Sequence, residues 1–139
     1  MPKVRDVMTR NPITLSQDTN IVEAAKCMSE KDIGDVVVTN GGGLCGIVTD
    51  RDIVVRAIAQ SRDPASTRLG DVCTKQLVTV RSDDEVEVAI DLMRKHAIRR
   101  LPVVDDGRAV VGIVSLGDLA AARDPHSVLG EVSQAPPQH

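Results

Sequence analysis

Two short stretches of this 139-residue chain carry residue types that could do chemistry. Gly46-Ile47-Val48-Thr49-Asp50-Arg51-Asp52 returns as Gly112-Ile113-Val114-Ser115-Leu116-Gly117-Asp118. In both, an apolar strand end runs into a hydroxyl residue, and an aspartate follows three residues later. Such a strand-to-helix junction points backbone N–H groups outward, where they can hold an anion. An ionised aspartate there only accepts hydrogen bonds, which suits hydroxyl groups on a ligand. The same spacing is also a helix-start signature. Thr49 and Ser115 can be N-caps, with Asp52 and Asp118 favoured by the helix dipole. Spacing alone favours the cap, and occurrence at two matched positions raises the binding reading. The two roles are compatible.

The elements that must position these stretches come from a duplication, the first thing to look for in any chain. Asp6, Val7, Thr9, Thr14, Asp18, Ala24, Met28, Ile33 and Val38 align with Asp71, Val72, Thr74, Thr79, Asp83, Ala89, Met93, Ile98 and Val103. One extra residue in the second turn then brings Gly46, Ile47, Val48 and Asp52 onto Gly112, Ile113, Val114 and Asp118. Each copy reads as a lead-in (4–9 or 69–74), a brief strand (13–15 or 78–80), a helix, two strands and a second helix. The first helix buries Ile21, Ala24, Ala25 and Met28, or Val86, Ala89, Ile90 and Met93, all at helical spacing. Ser82-Asp83-Asp84-Glu85 has capping-box spacing. The strands at 36–38 and 44–48 flank Asn40-Gly41-Gly42-Gly43, and those at 101–104 and 110–114 flank Asp105-Asp106-Gly107, so each pair reads as a hairpin. The last helices begin at Asp50 and Leu116. The expected division is a first unit at 1–61, a linker at 62–68, a second unit at 69–125 and a flexible tail at 126–139. A unit this small buries little alone, so two packed copies are expected to share a core.

Composition narrows the function. Phe, Tyr and Trp are absent, which excludes single-strand nucleic-acid binding by stacking. A net charge of −3 argues against a dedicated nucleic-acid binder. The apolar runs are too short for a membrane span, and the start of the chain has no signal-peptide pattern, so a cytoplasmic location is expected. Cys27, Cys45 and Cys73 are odd in number and lack a C-x-x-C, so neither a disulfide framework nor a zinc site is indicated. Cys27 and Cys73 align with Leu92 and Met8 and read as buried hydrophobes. Cys45 follows the Gly-rich turn, and no partner for it is visible in the sequence. His96, His126 and His139 are scattered, with no nucleophile-base or metal-ligand spacing, so no enzyme and no metal site is expected.

Tandem β-α-β-β-α units, each ending in Gly, two apolar residues, Ser or Thr, two further residues and Asp, resemble the CBS (cystathionine β-synthase) domain pair. Ile98-Arg99-Arg100-Leu101-Pro102-Val103-Val104-Asp105 followed by Gly112-Ile113-Val114-Ser115 carries the resemblance most strongly. Asp32-Ile33-Gly34 with Thr49-Asp50-Arg51-Asp52-Ile53-Val54 is similar to stand-alone two-CBS proteins of the mycobacterial hypoxic-response type. The resemblance implies an α/β (α+β) fold with pseudo-twofold symmetry. It also implies a homodimer that binds an adenosine-containing ligand (AMP, ADP, ATP or S-adenosylmethionine) in clefts between units. No cofactor is required. Asp52 and Asp118 would meet ribose. Thr49, Arg51, Ser115, Arg99 and Arg100 would lie near phosphate. Ile13, Thr14, Val37, Val78, Thr79 and Pro102 would flank the base.

The copies differ where ligand charge would sit. Arg99-Arg100 aligns with Gly34-Asp35, and Arg51 with Gly117. Two unequal sites are expected; alternatively, Arg99 and Arg100 are only a solvated pair. With no fused effector in the chain, a regulator would act on a protein target in trans. The competing reading is a structural homodimerisation module with degenerate sites.

Overall fold

The computed structural model describes residues 2–75, 78–106 and 109–123. In chain order the elements are α1 (Val4–Val7), β1 (Thr9–Arg10), β2 (Thr14–Ser16), α2 (Ile21–Lys31), β3 (Asp35–Asn40), β4 (Gly43–Thr49) and α3 (Asp50–Ile53). A π-helical turn (Val54–Ile58), α4 (Leu69–Val72), β5 (Thr74–Lys75), α5 (Val86–His96), β6 (Arg100–Asp105), β7 (Ala109–Ser115) and α6 (Leu116–Arg123) follow. This is the mixed α/β order that the repeats predict. The strand expected at 78–80 is reduced to one bridge, Val80 parallel to Val103. Gly107 and the tail at 126–139, with His126 and His139, lie outside the described residues. Among the described residues no helix is long and apolar enough to cross a membrane.

Helix starts differ between the copies. Asn20 caps α2, its Oδ1 accepting from the Glu23 N–H at 2.9 Å. The capping box expected from Ser82-Asp83-Asp84-Glu85 does not form: Glu85 is the N-cap of α5 and makes no side-chain cap bond. Asp105 takes Ser82 instead. The Ser82 hydroxyl donates to Asp105 Oδ2 at 2.6 Å and the Ser82 N–H to Oδ1 at 3.0 Å. Both helices end alike. Asp32 and Ala97 turn left-handed at φ 54°, and the N–H groups of Ile33 and Ile98 reach back to the carbonyls of Met28 and Met93, each at 3.0 Å.

The chain forms two compact units. One holds residues 13–77 and a sheet ordered β2-β3-β4-β5, with β2 parallel to β3 and the other pairs antiparallel. Its core joins Ile21, Ala24 and Met28 of α2 to Val36, Val38 and Val48 of the sheet. Ala25, expected in this face, is exposed: its one methyl falls at the edge of the stripe. The other unit holds the described residues up to Pro12 and from Val78 to Arg123, with the sheet β1-β7-β6. Val86, Ala89, Ile90 and Met93 pack there on Leu101, Val103 and Val114.

The lead-in segments are therefore exchanged between the repeats. Residues 2–12 pack with the second repeat's hairpin and 69–75 with the first's. Val4 is buried beside Val80 and Val86, and its N–H donates to the Asp84 carbonyl at 2.9 Å. Leu69 makes the matching bond to the Thr19 carbonyl at 2.8 Å. A glycine admits each incoming strand. β1 lies on Gly112 and β5 on Gly46. A Cβ at Gly112 would stand 2.9 Å from the Thr9 carbonyl oxygen, and one at Gly46 would strike the Thr74 carbonyl oxygen. The opening glycine of the repeated motif is thus a backbone clearance.

Two predictions follow from these contacts. Gly46→Ala and Gly112→Ala each lose roughly 1–3 kcal/mol in urea unfolding, the range for overpacking. Gly43→Ala, whose Cβ would meet only the Asn40 carbonyl at 3.6 Å, stays near wild type. Equal stability of all three would refute the clearance role. Separately, the Ser82 bonds hold the Asp105 carboxyl below its ordinary range. Its stabilisation is complete above that range and is lost as pH falls through the lowered value. The melting-temperature gap between wild type and Asp105→Asn should be widest at neutral pH and close only as acidification passes below the ordinary carboxylate range.

Candidate functional site

Strand alternation sorts the candidate residues onto faces. In the unit of residues 13–77, Ile13, Leu15, Val36, Val38 and Val48 turn to the core. Thr14, Asp35, Val37, Ile47 and Thr49 fall on the opposite face, because Thr14 pairs with Val37, Val37 with Ile47 and Asp35 with Thr49. In the other unit Val78, Val80, Leu101, Val103 and Val114 turn to the core. Arg100, Pro102, Ile113 and Ser115 fall opposite, with Arg100 paired to Ser115 and Pro102 to Ile113. Ile13 and Val78, expected beside a base, are thus on the core side. Val37 and Pro102 lie on the motif's face and are buried, while Thr14 and Thr79 are exposed.

At the end of each hairpin the motif closes on itself. Thr49 Oγ1 accepts from the Asp52 N–H at 3.1 Å, and Asp52 Oδ2 accepts from the Thr49 N–H at 2.9 Å. Ser115 and Asp118 repeat both bonds, each at 3.0 Å. This is a reciprocal capping box, so the cap anticipated from spacing is present in both copies. It occupies one oxygen of each aspartate. The carbonyls of Gly34 and Arg99, just before β3 and β6, accept from the first helical N–H, of Asp50 at 3.0 Å and of Leu116 at 2.8 Å.

These bonds bring the differing residues of the copies to the motif. Arg99 and Arg100 stand at the start of α6, and Gly34 and Asp35 take their places at the start of α3. The cationic pair and Ser115 therefore share one end of a hairpin, where Thr49 has an acidic neighbour. Arg51 is exposed, its N–H donating to its neighbour's Asp50 Oδ1 at 2.8 Å.

Arg56 is a functional candidate that the motif does not include. Its Nε lies 3.7 Å from Asp52 Oδ1, and its Nη1 donates to the Val72 and Cys73 carbonyls, each at 3.4 Å. The Asp52 side chain is only 15% exposed, so the oxygen left over from the cap meets a guanidinium. The i,i+4 spacing of Asp52 and Arg56 is the sequence signal that could have found this pair. Ala122 holds the corresponding place beyond Asp118. Among the described residues no group of three or more His, Cys, Asp or Glu could hold a metal ion.

Comparison with known proteins shows the family and the fold. The family profile of the CBS domain matches residues 4–58 and 69–124. The CBS domain-containing protein YhcV of Bacillus subtilis is 43% identical over 120 residues, covering 86% of this chain and 84% of its own length. Hypoxic response protein 1 of Mycobacterium tuberculosis is 29% identical over 130 residues, covering 93% of this chain and 90% of its own. Among solved structures, the CBS domain pair of protein MJ0100, in complex with 5'-methylthioadenosine and S-adenosyl-L-methionine, superposes with a TM-score of 0.78 at 31% identity. That match covers 91% of this chain and 99% of the other. With both repeats matched over most of their length, the chain belongs to the CBS domain family.

Proposed function

We propose that the protein is a regulator that binds an adenosine-containing ligand and acts on a protein partner in trans. One observation carries this reading: the same hydroxyl-carboxylate box occurs twice, on the sheet face turned away from each unit's core. Asp52 and Asp118 are the ribose-facing groups. Ser115, Arg99 and Arg100 form the better phosphate end, since guanidinium forks and a helix N-terminus both favour that anion. Thr49 and Arg51 serve the first copy, where Asp35 opposes a phosphate and Arg56 competes for Asp52. Thr14, Thr79, Val37 and Pro102 flank the base. Ligand binding shifts the population of states that the partner recognises. The likeness to a domain pair solved with two adenosine-based ligands supports the ligand class.

A second reading, a homodimerisation module, is favoured by one feature. Val54, Val55 and Ile58 of the π-helical turn are 58%, 43% and 52% exposed, an apolar strip of the kind that oligomers cover. The two readings coexist if a dimer carries the ligand sites.

Thermal unfolding of the full chain with AMP, ADP, ATP, 5'-methylthioadenosine and S-adenosylmethionine tests the proposal. A ligand at a hundred times its Kd adds about 2.7 kcal/mol of stability. Asp118→Ala should abolish most of that ligand-dependent gain. Arg99→Ala with Arg100→Ala should weaken ATP about tenfold, or 1.4 kcal/mol, and leave 5'-methylthioadenosine nearly unchanged. Calorimetry should find two unequal sites. A flat response to every ligand leaves the dimerisation module, and equal independent sites would remove the assigned asymmetry.

A further inference from the structure

Arg56 closes a ring of contacts around the first motif. β4 runs from Gly46, where β5 lies against it, to Thr49, whose capping box holds Asp52. Asp52 Oδ2 belongs to the cap, and Oδ1 faces Arg56 Nε at 3.7 Å. Arg56 Nη1 donates to the Val72 and Cys73 carbonyls at the end of α4, each at 3.4 Å. Thr74 and Lys75 follow directly and return the chain to Ile47 and Gly46 of β4. The last carbonyls of a helix have no donor within it, and an arginine can supply one. Every member of the ring lies in the unit of residues 13–77.

The other copy has the same strand and the same cap without this closure. Arg56 sits in a π-helical turn closed by the Ala59 N–H on the Val54 carbonyl at 2.8 Å, a winding that concentrates at functional positions. The matching helix, α6, is α-helical from Leu116 to Arg123 and carries Ala122 in that place. A methyl group donates nothing to Asp118, nor to the Val7 and Met8 carbonyls that correspond to those of Val72 and Cys73.

We propose that Arg56 is a positioning residue that fastens the lead-in at 69–75 to Asp52, so that a ligand on Asp52 and a fastened lead-in oppose each other. The proposal rests on the reading of Asp52 as a ribose-facing group. One carboxylate oxygen serves both partners. With Oδ2 engaged by the Thr49 N–H, ribose hydroxyls are accepted at Oδ1, where the guanidinium already sits. Arg56 is half-exposed and has room to swing toward solvent. When it does, the Val72 and Cys73 carbonyls lose their donor and β5 is held by its strand pairs alone. The coupling is reciprocal: a fastened lead-in lowers ligand affinity by the factor that the ligand loosens the lead-in. Occupation of the first site is thereby transmitted to the backbone at 69–75. Occupation of the second leaves the lead-in at 4–10 in place, because no latch joins it to Asp118.

Hydrogen exchange of the full chain, read on peptides covering 69–75 and 4–10, tests the latch first without ligand. Arg56→Met and Asp52→Asn should each speed exchange at 69–75 roughly two- to fivefold, the range of a partly solvated ion pair, and the double variant should add nothing further. Neither should change 4–10. The probe is then 5'-methylthioadenosine, which has no charge to attract a freed guanidinium, in the Asp118→Ala background where the first site alone remains. At saturation it should speed exchange at 69–75 by a similar factor, against the protection that binding ordinarily gives. Arg56→Met in that background should bind it roughly two- to fivefold more tightly, which removal of a merely structural residue would not do. The latch is overturned if the two substitutions act additively on 69–75, if bound 5'-methylthioadenosine slows exchange there, or if Arg56→Met binds it no more tightly. A flat calorimetric response to the probe overturns the ribose reading of Asp52 and the opposition with it, while the ligand-free cycle decides the fastening by itself.

Discussion

Close approach of two backbones at Gly46 and at Gly112 is the constraint from which the rest of each unit follows. β4 and β7 can accept β5 and β1 only because neither glycine has a Cβ to meet the arriving carbonyl. Those two-residue strands end the lead-in segments, which carry Val4 and Leu69 into the cores at no measurable exposure. Without the incoming strand, the second strand of each hairpin would present unpaired backbone groups, which is costly once buried. The glycine, the exchanged lead-in and the closed core are thus one device used twice.

The same strand runs from that glycine to the capped motif. Three residues beyond Gly46 or Gly112 the strand ends at Thr49 or Ser115, and the capping box turns it into a helix. One oxygen of each aspartate and the side-chain hydroxyl are engaged in starting the helix. The second oxygen of each aspartate lies outside the cap, and the two copies treat it differently. Asp52 meets Arg56, whose guanidinium also ties down the start of β5, whereas Ala122 stands at that place in the second copy. One capping box, repeated in both copies, therefore carries two different charge environments.

Strand register explains why the neighbours of the capped motif were legible in the sequence. Once the hairpins at Gly41-Gly42 and after Asp105 are recognised, Arg100 must face Ser115 and Asp35 must face Thr49, because antiparallel pairing is determined by the turn. The duplication revealed the helices, the hairpins and the two capped motifs for the same reason: each is a local pattern written twice. Ser82 was misread because its capping spacing is real, but Asp105, more than twenty positions away, offers two good bonds to it. Alternation separates Ile13 and Val78 from Thr14 and Thr79, a distinction that depends on which face the core occupies.

The sequence by itself determined the repeat, the element order, the paired Thr49-Asp52 and Ser115-Asp118 boxes and the charge difference beside them. All of these arise from spacing within a few residues, where backbone geometry leaves little choice. Only the tertiary structure decided which lead-in joins which hairpin, that Arg56 reaches both Asp52 and the carbonyls ahead of β5, and that Lys75 reaches Cys45. Each of those depends on strands from distant parts of the chain lying side by side. Spacing carries no record of such contacts, because they are selected by the packing of the whole unit.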